Sequence, residues 1–225
     1  MPERSLREIG QTFGWALPAG ATSLRLTLVG PIGRRTNDGR GILPWEVGAR
    51  IAANSHVPAI EVELDSGGGA VVAAKEIHDM LTGAGKPVTV RVIGQCCSAA
   101  ILVLLAGQYR EAVASARFLI HGAATAMPPE RWTAEIHRRE AEALEEINRG
   151  AIDCLVARCG GPRWTYERLM ECEDEISAYD ALTRFFLIDR IIRWLRDWAK
   201  AETTSPKFLW MNRASQRPYF PRRRS

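Results

Sequence analysis

One hydroxyl-bearing residue stands out in the segment IGQCCSAAILVLLAG at residues 93–107. Ser98 follows the apolar strand pattern VTVRVIG and precedes the helical run AAILVLLA, so the sequence predicts it at a strand–turn–helix junction. Free N–H groups at the start of a helix favour developing negative charge, and small neighbours leave room for a substrate. Two interpretations stay open: a serine that caps a buried helix, and a nucleophile.

A nucleophilic serine needs a base, and His121 is the best placed of the four histidines. It ends the apolar pattern ARFLIH, and functional loops gather at the carboxyl ends of parallel strands. The alternative is a structural histidine at a strand end. A lysine base is disfavoured because the chain has no lysine between Lys86 and Lys200.

A carboxylate that orients the histidine is available in the run ECEDEIS at residues 171–177. This run contains Glu173 and Asp174 among four acidic residues. The alternative interpretation is a solvated acidic surface.

The glycine run SGGG at residues 66–69 follows a strand pattern, AIEVELD, and precedes a helical one. Backbone N–H groups in such a loop can face an anion. The Lys-Ser/Thr pair of a phosphate loop and the GxGxxG spacing are both missing, so no nucleotide site is predicted. The glycine run is equally compatible with two roles. It could let an oxyanion or a peptide approach the backbone closely, or it could form only a tight turn.

These residues are positioned by alternating strand and helix patterns. Strands are predicted at 23–33, 59–65 and 86–94, and the segment 111–122 reaches a further strand, ARFLIH. Helices are predicted at 43–55, 70–85, 99–106 and about 129–158, with one or two short helices and a last strand in 160–192. This order predicts an α/β fold with a parallel sheet and right-handed crossovers. We divide the chain into an N-terminal segment (1–22), a main domain (23–198) and a basic tail (199–225).

Composition excludes several classes of protein. No apolar run reaches the ~18 residues of a membrane helix, and the opening MPERSLREIGQTFG has no signal-peptide core, so a cytoplasmic location is expected. The five cysteines have no zinc-site spacing and are interpreted as reduced thiols; neither a metal nor an organic cofactor is predicted. Of the net charge of +4, the tail contributes +6 and the rest of the chain −2; we interpret the tail as a solvated end rather than a nucleic-acid surface.

Taken in order, these motifs resemble the proteolytic subunit of the Clp protease, the ClpP family. The family carries an NSPGG loop, a GQAASMGA nucleophile turn and an SRVMIHQP histidine strand, which here read DSGGG, GQCCSA and ARFLIHG. The helix AEIHRREAEALEEIN and the ending ISAYDALTRFFLIDRII are also similar to family segments. The resemblance covers about residues 24–192.

The resemblance implies a ClpP/crotonase-type repeated β-α-β superhelix with a protruding long helix, the handle. It implies Ser98 as nucleophile and His121 as general base, in an enzyme that forms an acyl intermediate. The N–H groups of the glycine loop (Gly68, Gly69) and of Ala99 would bind the oxyanion. The family's aspartate corresponds by position to Glu173, with Asp174 one residue later.

The family's partners are also implied: a peptide or unfolded protein as substrate, a homo-oligomeric ring and an AAA+ ATPase chaperone. Glu61 and Glu63 replace the exposed aromatic residues that help dock the ATPase, which disfavours such docking. The segment GAATAMPPERW after His121 lacks the glycine-rich strand that joins two family rings.

The sequence thus predicts a serine endopeptidase of the Clp type. Two alternatives stay open. One is a ring or scaffold subunit of the same family with weak or no activity, because the family's aspartate is missing. The other is a crotonase-like enzyme acting on acyl-CoA.

Overall fold

The structure, a computed structural model, describes residues 16–125 and 132–192. It contains seven strands: β1 Leu24–Val29, β2 Ile60–Ser66, β3 Val88–Cys97, β4 Tyr109–Val113, β5 Arg117–Leu119, β6 Glu175–Ser177 and β7 Arg190–Ile192. The six helices of this part of the chain are α1 Pro44–Ala53, α2 Val71–Thr82, α3 Ala100–Leu105, α4 Ala134–Cys159, α5 Arg163–Cys172 and α6 Ala178–Thr183. Most of the predicted N-terminal segment 1–22 and all of the tail 199–225 lie outside the described residues.

The sheet is mostly parallel, as the alternation of strands and helices predicts. Its main order is β1-β2-β3-β4-β7, with every neighbouring pair parallel. Apolar and polar residues alternate along β1 and β2 because every second side chain of a strand in this sheet faces the core. Leu26, Leu64, Val90 and Val92 are fully buried on that face.

Helices α1, α2 and α3 pack in series over the buried face, and α3 also contacts β3. The apolar run that follows Ser98 forms the centre of this layer: Val103, Leu104 and Leu105 are fully buried. The burial of α3 fixes the position of the turn that precedes it.

The opposite face of the sheet is charged. Strand register aligns Thr27, Glu63, Arg91, Glu111 and Arg190 in one row across five strands. Thr27 donates a hydrogen bond to Glu63 (3.1 Å), and buried Arg91 donates twice to Glu111 (2.8 and 3.1 Å). Arg190 also pairs with Glu111. The polar side of this row is therefore explained by hydrogen bonds and ion pairs between neighbouring strands.

Helix α4 is 26 residues long, which corresponds to about 39 Å. The Thr133 side chain caps it by accepting from the N–H of Ile136 at 3.3 Å. In this helix only Ile152 and Leu155 are buried. The predicted start near residue 129 lies outside the described residues, within the gap 126–131 that also holds part of GAATAMPPERW.

The predicted strand ARFLIH, at residues 116–121, forms β5, and the segment before it forms a separate strand, β4. A turn, closed by the N–H of Ala116 donating to the carbonyl of Val113 (3.0 Å), separates β4 from β5. Both strands pair with β3, which is long enough to hold them one after the other. β4 pairs with residues 89–92 of β3, and β5 pairs with residues 95–97. The segment 160–192 forms two short helices and two short strands, and β6 runs antiparallel to β5.

Among the helices of the described residues, none combines the length and the apolar composition needed to cross a bilayer.

Candidate active site

The pairing of β3 with β5 brings Ser98 and His121 to one site. Cys97 pairs with Leu119, and the N–H of Ser98 donates to the Leu119 carbonyl at 2.8 Å. His121 follows two residues later, beyond the end of β5. Ser98 and His121 both line one small cavity of about 50 Å³. Two residues that are separate in sequence thus share one cavity at the carboxyl ends of two parallel strands.

Ser98 has an unusual backbone conformation. Its φ of +56° lies in the left-handed region, which costs a non-glycine residue about 1–3 kcal/mol. The contact with Leu119 and the bond from the N–H of Ile101 to the Ser98 carbonyl (3.0 Å) hold this turn. The alternative that Ser98 caps the helix is wrong, because Ala99 occupies the N-cap of α3 and no side chain accepts from its first turn. The strained turn instead holds Ser98 at the cavity that it shares with His121.

The glycine loop packs directly against this turn. A Cβ on Gly68 would lie 2.7 Å from Ser98 Cβ and 2.8 Å from the Cys97 carbonyl oxygen, so only glycine fits there. The Gly68 N–H already donates to Ser66 Oγ at 3.1 Å. Within the described residues, the N–H groups of Gly69 and Ala99 donate to no protein acceptor. Of the three predicted oxyanion donors, these two have a free N–H.

The imidazole of His121 is held by a backbone carbonyl. His121 Nδ1 lies 2.7 Å from the carbonyl oxygen of Gly122. A carbonyl oxygen can only accept, so Nδ1 carries the proton. Nε2 of the neutral ring then has a free lone pair. This is the tautomer that a general base for a serine requires.

Neither predicted acid contacts His121 in the described part of the chain. Glu173 is exposed and ends helix α5 in a left-handed conformation (φ +53°), with its N–H bonded to the Leu169 carbonyl. Asp174 is also exposed and lines a different cavity of about 880 Å³, beside α5 and α6. The structure therefore brings Ser98 and His121 together, and leaves both carboxylates outside their cavity.

The two cysteines before Ser98 do not compete with it as nucleophiles. Burial raises the pKa of the Cys96 thiol well above its usual value, and burial followed by the nearby Glu175 carboxylate raises the pKa of Cys97. A thiol with a raised pKa holds little reactive thiolate near neutral pH. The described residues contain no group of three His, Cys, Asp or Glu side chains placed as metal ligands.

The cavity wall includes a polar residue that sequence reasoning missed. The apolar part of the lining comes from α2, α3, α4, α5 and the residue after β5, and includes Ile101, Leu102 and Met170. Asn148 lines the same cavity and accepts a hydrogen bond from the N–H of Ala123 at 2.7 Å. A signal was present: Asn148 precedes the buried Ile152 and Leu155 by four and seven residues, so it lies on the buried face of α4.

The sequence matches the family model described as Clp protease over residues 50–194, well over half of the 225-residue chain. The chain belongs to the Clp protease family. This confirms the resemblance drawn from the motifs and supports a Clp-type peptidase in general. The matched region of this Clp protease family member contains the glycine loop, Ser98, His121 and the acidic run that includes Glu173. The mixed α/β architecture with a mostly parallel sheet is consistent with the family's fold.

Proposed function

We propose that this member of the Clp protease family is a serine endopeptidase in which Ser98 is the nucleophile and His121 the general base. The observation that carries the proposal is that both side chains line one cavity while the Nδ1–H tautomer of His121 leaves Nε2 free to accept a proton.

The reaction is an acyl transfer. Ser98 Oγ attacks the scissile carbonyl as its proton moves to His121 Nε2, and the N–H groups of Gly69 and Ala99 stabilise the oxyanion. The imidazolium returns its proton to the leaving amine. Water, activated by the same imidazole, then hydrolyses the acyl-enzyme. The residues of the mechanism require no metal or organic cofactor.

The cavity also supports a substrate preference. Leu102, Ile147 and Met170 give it an apolar wall, which favours an apolar side chain next to the scissile bond. A peptide segment of an unfolded protein is the substrate class that we propose.

The carboxylate that would support His121 remains a prediction from the sequence. Glu173 or Asp174 would have to reach His121 after a change in the loop between α5 and β6. Glu173→Gln and Asp174→Asn test this, because a carboxylate that supports the imidazolium cannot be replaced by an amide without loss of rate.

We also propose that the chain forms a homo-oligomeric ring, in which α4 is the handle and the repeated β-α-β units form the superhelix. The charged row on the sheet disfavours docking of an apolar ATPase loop, because Glu63 is already paired with Thr27 and buried Glu111 with Arg91. An AAA+ partner would therefore need polar contacts at this face. Light scattering tests the ring. The cytoplasmic location stays a prediction.

The test of the activity is labelling with a fluorophosphonate probe, followed by mapping of the adduct by mass spectrometry. We expect labelling at Ser98 alone, and none in Ser98→Ala. A folded protein that is not labelled would refute the peptidase and favour the scaffold subunit. A rise in melting temperature with acyl-CoA would instead favour the crotonase-like alternative.

A further inference from the structure

One peptide group connects His121 to a side chain of helix α4. The carbonyl of Gly122 accepts from His121 Nδ1–H at 2.7 Å, and the N–H of Ala123 donates to Asn148 Oδ1 at 2.7 Å. This carbonyl and this N–H are the two ends of the same planar, conjugated amide. A continuous chain of hydrogen bonds therefore runs from the imidazole, through one peptide, to Asn148.

The orientation of the Asn148 amide follows from this contact. A backbone N–H can only donate, so the atom facing it must be the amide oxygen. The Nδ2 end then lies toward Gly122, where a Cβ added to that glycine would be 3.5 Å away. The side chain is half-buried and lies on the face of α4 that buries Ile152 and Leu155. Asn148 is thus a fixed acceptor on a packed helix face.

We propose that Asn148 is the positioning residue of this active site, holding the Gly122–Ala123 peptide so that its carbonyl occupies the place at His121 where a triad acid would act. The proposal rests on the peptidase function proposed above. It is an alternative to Glu173 and Asp174 as the third member of the triad.

The physical argument has two parts. First, a fixed carbonyl at Nδ1 keeps the ring in the tautomer that leaves Nε2 free for the Ser98 proton. Second, hydrogen bonds in series polarise one another, so acceptance by Asn148 makes the Gly122 carbonyl a stronger acceptor. A neutral carbonyl still stabilises the imidazolium less than a carboxylate does, because charge-assisted bonds are about twice as strong.

The proton balance is simple. The Ser98 proton moves to His121 Nε2 while the Oγ–C bond forms, and the electron pair of the scissile carbonyl moves to its oxygen. The Nδ1 proton stays on the imidazolium throughout. The peptide and Asn148 transfer no proton, so their role is orientation and charge support.

The experiment compares Asn148→Leu with Asn148→Asp. Leucine is similar in size but removes the acceptor, whereas aspartate keeps an oxygen in the same place. We expect Asn148→Leu to label Ser98 about 10-fold more slowly with the fluorophosphonate probe. Asn148→Asp should retain the wild-type rate or exceed it. The matched control is Arg149→Leu at the next, exposed position of α4, which should label normally.

A second readout detects the tautomer of His121 and does not depend on activity. In the Ser98→Ala background, ¹⁵N NMR of the imidazole should show the Nδ1–H tautomer, and Asn148→Leu should convert it to a mixture. A merely structural role for Asn148 would lower the melting temperature without changing the tautomer.

The outcomes separate the two proposals. If wild-type Ser98 is not labelled, the peptidase fails, and the NMR comparison still decides whether Asn148 orients His121. If wild type is labelled but Asn148→Leu keeps both its rate and its tautomer, the positioning role is refuted. Should Asn148→Leu fail to fold, Asn148→Ser takes its place, since its short hydroxyl cannot span the gap; an unchanged rate and tautomer there would also refute the role.

Discussion

Gly68→Ala should destabilise the turn that carries Ser98 and lower the reactivity of this serine. Gly68 has a φ of +99°, a conformation that side-chain-bearing residues rarely adopt. Its added methyl would lie 2.7 Å from Ser98 Cβ, 2.8 Å from the Cys97 carbonyl oxygen and 3.1 Å from the Ala99 nitrogen. Two of these atoms belong to backbone, so they cannot move aside as the end of a flexible side chain would.

The magnitude has two parts. The left-handed conformation costs alanine about 1–2 kcal/mol, and overpacking costs about 1–3 kcal/mol. Together they predict a loss of about 2–5 kcal/mol in the free energy of unfolding. For a chain of this size this corresponds to a fall in melting temperature of about 4–20 °C. If Ser98 is pushed aside by about 1 Å, its reaction rate should fall about 100-fold.

Two other glycines provide matched controls. Gly67 lies next to it, and a Cβ there would be 4.0 Å from Gln95 Oε1, so Gly67→Ala should leave both stability and rate near wild type. Gly85 has a φ of +66° but no atom within 4 Å of an added Cβ. Gly85→Ala should therefore show the conformational cost alone, with normal labelling. The assays are thermal unfolding and the rate of fluorophosphonate labelling at Ser98.

The comparison has a clear refuting result. If Gly68→Ala unfolds at the wild-type temperature and labels Ser98 at the wild-type rate, the loop does not support the nucleophile turn as described. A loss of stability equal to that of Gly85→Ala, with normal labelling, would show that the backbone conformation matters and that the contact with Ser98 does not.

Three further predictions concern the buried charges and thiols. Glu111→Gln should lower the free energy of unfolding by about 3–5 kcal/mol, because it removes the carboxylate charge that pairs with buried Arg91; denaturant titration measures this. Iodoacetamide should alkylate exposed Cys172 in the native protein and leave buried Cys96 unmodified until unfolding, because burial raises the pKa of Cys96; mass spectrometry distinguishes them. Burial lowers the pKa of His78 in the folded protein, so the unfolded chain binds the proton more readily. The free energy of unfolding should therefore decrease as the pH is lowered below about 6.5. Melting temperatures of wild type and His78→Asn across that range test this.

Each of these predictions has its own control. The control for Glu111→Gln is Asp79→Asn. This substitution removes the exposed ion pair with Lys75 and should lower the free energy of unfolding by less than about 1 kcal/mol. For the thiols, alkylation of Cys96 at the rate of Cys172 would contradict the buried site. For His78, an equal pH dependence in wild type and His78→Asn would assign the effect to other groups.

The sequence predicts much of this site because its signals are local. Alternating apolar residues locate β1, β2 and β3, and the apolar run after Ser98 locates α3, so the serine is found at a strand–turn–helix junction from neighbouring residues alone. The glycine run and the strand-end histidine are visible in the same way. Their order along the chain was enough to indicate the Clp protease family, which the family model over residues 50–194 then showed.

The tertiary structure decided the contacts that depend on strand order and register. Sequence periodicity does not separate β4 from β5, since both are short apolar segments, and only pairing with β3 shows that β5 carries His121 to Ser98. In the structure the Gly122 carbonyl lies at His121 Nδ1, and neither predicted acid, Glu173 or Asp174, lines the cavity of His121. Asn148 reaches that peptide from 25 residues away along the chain. Local patterns determine where strands and helices form, whereas contacts across the chain follow from how those elements pack.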